Sequence, residues 1–287
     1  ATGKYFEEFI PNLKASVDQF FVFPDVRVQF YCFTDSVQQI AGVTNVAITH
    51  FAWPFSTLLR YRWIEKNSAQ LAHHNFLLYM DADMRVVCTP PAAFFDYELF
   101  AVRHPGYLAK PGAFEIDRQD SSYVAPPLRK HYFQGCFWGG TTQAFMKLIR
   151  HLAKQVDEDL GLGNIPIWHD ESYLNHYLST QQCEPLSPAY AWPEAERIGN
   201  LGVRIPYVLH LEKKHQVIRQ ASQERLNIDG FLSQTDAGAE LAIYKKLYLN
   251  AHEKNQRLES HLVQNNVWWA KLREYLAYYR HLKDGKK

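Results

Sequence analysis

An apolar run, Phe76–Met80, leads directly into two carboxylates, Asp81 and Asp83, which a single alanine separates. A continuous apolar run of this length is typical of a β-strand buried on both faces, as in the parallel sheets of α/β proteins. The aspartates would then lie at the carboxyl end of the strand, where open α/β sheets bind their ligands. Oxygen donors without a neighbouring Cys or His suit Mg²⁺ or Mn²⁺, so the motif predicts a metal site that binds a diphosphate. The alternative is a turn or a helix cap.

The chain before this run alternates between helix and strand patterns. A helix is predicted from Tyr5 to about Phe21, strands over Val26–Phe33 and Val46–Phe51, and a second helix over Leu58–Leu71. This β–α–β order predicts parallel strand pairing and a nucleotide-binding type of sheet.

The second half of the chain has a long irregular part. Residues 102–130 are rich in Pro, Gly and Tyr and lack periodicity, which is more typical of a functional segment than of an idle loop. The later elements are predicted as a strand over His131–Gly140 and helices over Thr142–Val156 and Trp168–Leu178. The last helix begins with His169, Asp170 and Glu171, and the helix dipole favours acidic residues there.

Composition excludes some classes of protein. A hydrophobic fraction of 47% and an aromatic fraction of 15% supply a large core, so most of the chain is not predicted to be disordered. A net charge of +1 argues against nucleic acid as a partner. The four cysteines match no zinc spacing and are predicted to be free thiols in a reducing compartment. No apolar run reaches the length of a membrane span, and no signal peptide is visible.

The end of the chain differs in character, and we predict a domain over 1–223 followed by a helical extension over 224–287. From Tyr244 to Tyr279, apolar residues and two asparagines recur at the a and d positions of a heptad repeat. This pattern is typical of a coiled coil, which would form a homo-oligomer, or of a helix packed on its own domain. Basic residues and the pair Trp268–Trp269 add a third alternative, peripheral contact with a membrane.

The run Trp168–Ser172 and the residues after it, up to Tyr177, resemble the signature of glycosyltransferase family 6. This family includes the histo-blood-group A and B transferases and the α-1,3-galactosyltransferases, with bacterial and phage members. The resemblance extends from Ala1 to about Arg219, and further matching segments occur in the family's order. They are Ala1–Tyr5, Trp53–Pro54, Leu59–Arg60, Asp81–Asp83, His104–Tyr107 and Leu186–Tyr190.

The resemblance implies a fold and a reaction. The fold would be an α/β nucleotide-sugar transferase domain of type A, with a Rossmann-like mixed sheet flanked by helices. The reaction would retain the anomeric configuration while moving Gal or GalNAc from its uridine diphosphate sugar to O3 of a β-galactoside. The family's first strand precedes the Ala1–Tyr5 turn, so we expect that strand to be missing here through an N-terminal truncation. We also expect a bacterial or phage enzyme that acts in the cytoplasm, at the inner face of the membrane.

The family's residue roles carry over to the matching positions. Nucleotide binding would fall to Ala1, Thr2, Tyr5, Arg60, Asp81, Ala82, Asp83, Lys213 and Arg219. Donor-sugar binding would fall to Arg60, Gln134, Gly135, Cys136, His169 and Asp170, and acceptor binding to His104, Trp168, Glu171 and Tyr190. Asp81 and Asp83 would hold Mn²⁺, with Mg²⁺ as the alternative metal. Many bacterial relatives carry Asn-x-Asn at these positions and work without metal, so the two aspartates predict metal dependence.

Glu171 is the predicted catalytic residue. It would attack the anomeric carbon, or it would stabilise an oxocarbenium ion while the acceptor attacks from the donor's own face, and both alternatives stay open. The donor is predicted from Gln134–Cys136. Cys136 is larger than Gly or Ala and favours UDP-Gal, whereas the Gln134 amide could bond an N-acetyl oxygen and keeps UDP-GalNAc as the alternative.

Two other classes of protein fit part of the pattern. A metal-dependent phosphatase or nuclease would use Asp81 and Asp83, but such sites usually gather further carboxylates around two metals. A non-catalytic sugar-binding module would use Trp168 and Tyr190 for stacking, but it leaves the aspartate pair without a role.

Overall fold

The structure is a computed structural model that describes residues 1–51, 54–118, 120–162, 164–196 and 202–213. Trp53, Arg219 and the whole predicted extension over 224–287 lie outside the described residues, and so do the oligomer and the membrane contact predicted from that extension. Within the described ranges, no helix combines the length and the apolar character needed to cross a bilayer.

The described chain has the mixed α/β architecture that was predicted, with helices packed against sheets. Its helices are α1 (Lys4–Phe20), α2 (Phe55–Leu58), α3 (Arg60–Lys66), α4 (Ser68–Leu71), α5 (Thr142–Gly161) and α6 (His169–Ser179). Its strands are β1 (Phe30–Thr34), β2 (Val43–Ala47), β3 (Phe76–Met80), β4 (Met84–Val86), β5 (Leu99–Arg103), β6 (Phe133–Thr141), β7 (Glu184–Leu186), β8 (Trp192–Pro193) and β9 (Val208–His210). Short 3₁₀ helices cover Ala92–Asp96, Pro105–Tyr107, Pro126–Leu128 and Pro188–Tyr190.

The described strands form three sheets, in the orders β1-β2, β3-β6-β5-β7 and β4-β9-β8. Pairing of β1 with β2 is parallel, as predicted. The parallel pairing predicted for β3 is wrong, because β3 pairs antiparallel with β6. An apolar run without alternation does not reveal the direction of its neighbour, and β6 comes from a part of the chain far from β3.

Two glycines let β6 lie between β3 and β5. A Cβ atom on Gly139 would lie 2.6 Å from the Leu77 carbonyl oxygen, and one on Gly140 would lie 2.1 Å from the Glu98 carbonyl oxygen. Both distances are shorter than a real carbon–oxygen contact, so only glycine permits this close approach of three backbones.

The prediction that β3 is buried on both faces is also wrong, since all five of its residues are half-buried. Among the described strands, β3 is at the edge of its sheet, and its residues line a cavity of about 1320 Å³. The other wall of this cavity includes Phe30–Phe33 of β1. Asp81, at the end of β3, is also part of the lining of this cavity.

Several predicted boundaries shift. β1 begins at Phe30 rather than Val26, and β2 begins three residues before its predicted start and ends four residues before its predicted end. The single helix predicted over Leu58–Leu71 is divided into α2, α3 and α4. Helices α1 and α5 were predicted to within about five residues, because long amphipathic periodicity is a strong signal. Helix α6, predicted from its acidic first turn, lies within one residue of its predicted ends.

Strand β6 separates the two main hydrophobic cores. Trp138 contributes to a core with Leu148 of α5 and Tyr173 of α6, whereas Phe137 contributes to a core with Val17 of α1. Successive residues of a strand point to opposite faces, which explains the division. Because both faces of β6 are packed against a core, the positions of Gln134–Cys136 near its start are fixed. These residues lie next to the end of β3.

Candidate active site

Arg60 connects three segments that the sequence placed at the donor site. Its Nη1 atom lies 3.2 Å from Asp81 Oδ1, 3.4 Å from Asp170 Oδ2 and 3.3 Å from the Gly135 carbonyl oxygen. Its Nε donates to the Thr57 carbonyl at 3.1 Å, which fixes the side chain at the start of α3. Burial disfavours the charge of this guanidinium, but the Asp170 carboxylate and the other neighbours raise its pKa well above the usual value. Arg60 is therefore a permanent cation between two carboxylates.

Asp81 is held where β3 ends. Its backbone N–H donates to the Cys136 carbonyl at 3.0 Å, which continues the pairing of β3 with β6. The Tyr79 hydroxyl donates to Asp81 Oδ1 at 2.7 Å. The tyrosine hydroxyl is the one polar group within the apolar run, and it orients the carboxylate that follows.

A third group, His210, joins the two aspartates. Oxygen atoms of Asp81 and Asp83 and a ring nitrogen of His210 lie within 4.8 Å of one another. β4 pairs with β9 so that Met84 is opposite His210, and the Leu211 N–H donates to the Asp83 carbonyl at 2.9 Å. The two carboxylates suit Mn²⁺ or Mg²⁺, whereas the added imidazole favours Mn²⁺ over Mg²⁺, so these residues fit the predicted Mn²⁺.

Asp83 is almost fully buried, and two donor groups contact its carboxylate. His210 Nε2 lies 3.3 Å from Asp83 Oδ2, and the Lys213 ammonium contacts the same oxygen. Burial alone would raise the pKa of Asp83, but the bond from His210 and the charge of Lys213 lower it well below its ordinary value. The Asp83 carboxylate is therefore ionised and ready to hold a cation.

The large cavity brings the predicted nucleotide-binding residues together. Its lining includes Ala1, Thr2, Tyr5, Arg60, Asp81, Ala82, Asp83 and Lys213. The Lys213 ammonium lies 5.6 Å from the centre of the Tyr5 ring, and the Arg60 guanidinium lies 3.2 Å from Asp81. The polar end of the cavity thus combines cations with the aspartate pair.

Glu171 lies in the first turn of α6, facing the start of β6. Its Oε2 accepts from the Gly135 N–H at 2.8 Å. A Cβ atom on Gly135 would lie 3.4 Å from Asp170 Oδ2 and 3.6 Å from Glu171 Oε2, so this glycine faces both carboxylates. Burial, opposed by the Gly135 bond, raises the pKa of Glu171 to about 7. A carboxylate with such a pKa is typical of a catalytic site.

The turn before Glu171 has an unusual backbone. His169 has a φ of 51°, in the left-handed region that residues other than glycine rarely adopt. Its N–H donates to the Pro166 carbonyl at 3.0 Å, and its side chain is buried. A strained backbone held in place by its surroundings is often found at functional sites.

Asn175 joins α6 to β6. Its Oδ1 accepts from the Phe133 N–H at 2.8 Å, and its Nδ2 donates to the Phe133 carbonyl at 2.8 Å and to the Glu171 carbonyl at 2.9 Å. This fully buried amide fixes the spacing between Glu171 and Gly135. Nearby, the buried Tyr132 hydroxyl faces Glu171 and partly opposes the rise in the pKa of this carboxyl group.

The predicted acceptor residues do not all lie together. Trp168 is 42% exposed beside Glu171, as a residue that stacks on a sugar must be. His104 packs against Tyr132, and burial lowers the pKa of its imidazole to about 4. Tyr190, in contrast, is buried in a hydrophobic core where its ring contacts Phe137. The structure therefore does not bring the Tyr190 ring to the acceptor side.

Some site residues had no local signal in the sequence. His210 and Asp83 are 127 residues apart, and β9 has only three residues. Asn175 and Tyr79 stand inside patterns that were recognised, but their hydrogen bonds depend on the packing of β3, β6 and α6.

The sequence of the chain is similar to those of known glycosyltransferases. The profile of glycosyltransferase family 6 matches residues 1–220. The chain is 30% identical over 201 residues to the O-antigen biosynthesis glycosyltransferase WbnI of Escherichia coli. The aligned region covers 67% of this chain and 85% of that protein. It is also 30% identical over 210 residues to the histo-blood group ABO system transferases 2 and 1 of Rattus norvegicus, covering 67% of this chain but only 62% and 60% of those proteins. By its profile match, and as its sequence motifs indicated, the chain belongs to glycosyltransferase family 6.

Proposed function

We propose that the chain is a retaining, metal-dependent transferase that moves galactose from UDP-Gal to O3 of a β-galactoside and forms an α-1,3 linkage. Membership of family 6 already makes it a glycosyltransferase with a nucleotide-sugar donor and a glycan acceptor. The observation that carries the finer proposal is the position of Arg60, between Asp81 of the aspartate pair and Asp170 beside Glu171. A single cation would thereby hold the diphosphate end and the reacting end of a donor side by side.

The charge pairs around Asp83 support binding of a diphosphate. Asp81, Asp83 and His210 would hold Mn²⁺, which would stabilise the leaving phosphate as a Lewis acid. Lys213 now neutralises Asp83, and it would be free to contact the phosphates once another cation takes that role. Arg60 and Lys213 would then both face the negative charge that develops on the leaving group.

Glu171 would act at the anomeric carbon in one of two ways. In the first, a carboxylate oxygen bonds C1 while the C1–O bond to UDP breaks and UDP leaves with the electron pair. The acceptor O3 then displaces the carboxylate, and its proton passes to the departed phosphate. In the second, the carboxylate stabilises positive charge at C1 while O3 attacks the same face. Both routes need an ionised Glu171, oriented by the Gly135 N–H.

Cys136 supports galactose as the donor sugar. The Cys136 side chain is 2% exposed. The Cys136 backbone carbonyl accepts a hydrogen bond from the Asp81 N–H at 3.0 Å. Burial is the main cause of the raised pKa of the Cys136 thiol, and the charges of Asp81, Asp83 and Glu171 raise it further. The sulfur would occupy volume that an acetamido group needs, which favours UDP-Gal and leaves UDP-GalNAc as the alternative.

The proposal is tested by incubating the protein with Mn²⁺, a β-galactoside, and either UDP-Gal or UDP-GalNAc. NMR of the product identifies the linkage and the anomer. We expect an α-1,3-galactosyl product. A β anomer, or hydrolysis of the donor with no transfer to the sugar, would contradict the proposal.

Substitution of Cys136 tests the choice of donor. Cys136→Gly should raise the ratio of GalNAc to Gal transfer by about tenfold, since a small change of pocket volume is worth about that much in specificity. Cys136→Ala should give a smaller change in the same direction. Equal donor ratios in the wild type and both variants would refute the steric argument.

A further inference from the structure

Gln134 lies behind the metal cluster rather than in it. Its Nε2 atom lies 2.9 Å from His210 Nδ1, and His210 Nε2 lies 3.3 Å from Asp83 Oδ2. The other amide atom of Gln134, Oε1, is buried and has no hydrogen-bond partner in the described part of the chain. An unpaired buried amide oxygen is costly, so its presence requires an explanation.

The bond to Gln134 determines which ring nitrogen of His210 carries the proton. With the amide nitrogen donating to Nδ1, the ring proton is on Nε2 and points to Asp83. A metal ligand needs a lone pair on Nε2, and the ring proton must then be on Nδ1. A half-turn of the amide would present Oε1 to that proton, because the two ends of an amide have nearly the same shape.

We propose that Gln134 is a positioning residue for the metal site, which bonds His210 in both ring tautomers and orients His210 Nε2 toward the cation. This inference rests on the proposed metal-dependent function. It assigns Gln134 a role through His210, distinct from the direct contact with the donor sugar that its position in the family motif implied. The side chain must be an amide for both states, since a carboxylate only accepts and an alkyl group does neither.

Binding of Mn²⁺ in the presence of UDP separates the two roles, because UDP carries no sugar for Gln134 to contact. Gln134→Met should weaken Mn²⁺ binding about tenfold, the loss typical of removing the partner of a ligating histidine. Gln134→Glu keeps an acceptor for the Nδ1 proton and should bind Mn²⁺ at least as tightly as the wild type. An EPR titration of free Mn²⁺ gives these affinities.

A matched control is available at Gln155 in α5. This amide is also buried, donates at one end to the Ser121 carbonyl at 2.8 Å, and has its own Oε1 without a partner among the described residues. Gln155→Met should therefore reproduce the general effect of removing a buried amide while leaving the Mn²⁺ affinity unchanged.

Pulsed EPR of the Mn²⁺–UDP complex tests the ligand directly. We expect a nitrogen coupling from His210 in the wild type and in Gln134→Glu, and no such coupling in His210→Ala. A wild-type spectrum without nitrogen coupling would overturn the inference, and that result needs no variant to fold. Equal Mn²⁺ affinity of Gln134→Met and the wild type would also overturn it. Failure of the proposed function would be distinct: transfer that continues in EDTA would show that no metal is needed.

Discussion

Glu171→Gln is expected to lower kcat by on the order of 10³, the range that loss of one group stabilising transition-state charge can reach. The amide has nearly the shape of the carboxylate, but it neither attacks C1 nor neutralises positive charge there. Its oxygen can still accept from Gly135, whose N–H lies 2.8 Å from Glu171 Oε2. Binding of UDP-sugar should therefore change little, and the loss should fall on kcat. Steady-state transfer kinetics measure both quantities.

Glu158→Gln is the matched control for this substitution. Glu158 is a surface residue of α5, 3.6 Å from Lys154, and the same change there should leave kcat unaltered. Near-normal transfer by Glu171→Gln would remove Glu171 from the proposed mechanism.

The raised pKa of Glu171 also predicts a pH dependence. Burial, with Asp170 and Asp81 nearby, raises the pKa of the free protein's Glu171 to about 7, so about half of the carboxyl groups are protonated at neutral pH. Because the ionised form acts, kcat/KM should rise with pH through this region.

A raised pKa also means that the folded state holds the Glu171 proton more tightly than the unfolded state, so the contribution of Glu171 to stability falls as pH rises from 4.5 toward 7. Glu171→Gln should therefore lose no stability at pH 8.

Arg60→Met is expected to lower the free energy of unfolding by about 3 kcal/mol at pH 7, as removal of one partner from a buried ion pair does. The substitution leaves the carboxylates of Asp81 and Asp170 without the guanidinium that lies 3.2 and 3.4 Å from them. Donor binding should be lost as well. Denaturant unfolding measures the stability, and titration calorimetry measures the donor affinity.

Arg62→Met provides the control on the same helix. Arg62 pairs with Asp157 at 3.4 Å, where the aspartate side chain is 42% exposed, so its loss should cost less than about 1 kcal/mol. The Arg60→Met deficit should also depend on pH. Burial already raises the pKa of Asp170, and removal of Arg60 should raise it further. Protonation of Asp170 would then stabilise the variant, and its deficit should shrink between pH 7 and pH 5. Equal stabilities of Arg60→Met and Arg62→Met would contradict the central position of Arg60.

The sequence could predict the parts of the site that depend on local patterns. The apolar run before Asp81 placed the aspartates at the end of β3, and the run from Trp168 placed Glu171 in the first turn of α6. Those positions follow from strand and helix patterns within one segment.

Contacts between distant segments were not predictable in the same way. The distance between Asp83 and His210 depends on the pairing of β4 with β9, two strands of three residues each that carry little periodic signal. The antiparallel pairing of β3 was missed because an apolar run does not reveal the direction of its neighbour, and β6 lies far from β3 along the chain. Tyr190 was assigned to the acceptor from its motif, but packing places its ring in a core.

The central claim is that Asp81 and Asp83 hold a metal ion that binds the donor's diphosphate. Titration calorimetry with UDP-Gal, in Mn²⁺ and in EDTA, on the wild type and on Asp83→Asn tests it most directly. We expect binding to the wild type in Mn²⁺ that weakens about tenfold or more both in EDTA and in the Asp83→Asn variant. Equal affinities for UDP-Gal in Mn²⁺ and in EDTA would show that the aspartates hold no metal for the donor, and would contradict this account.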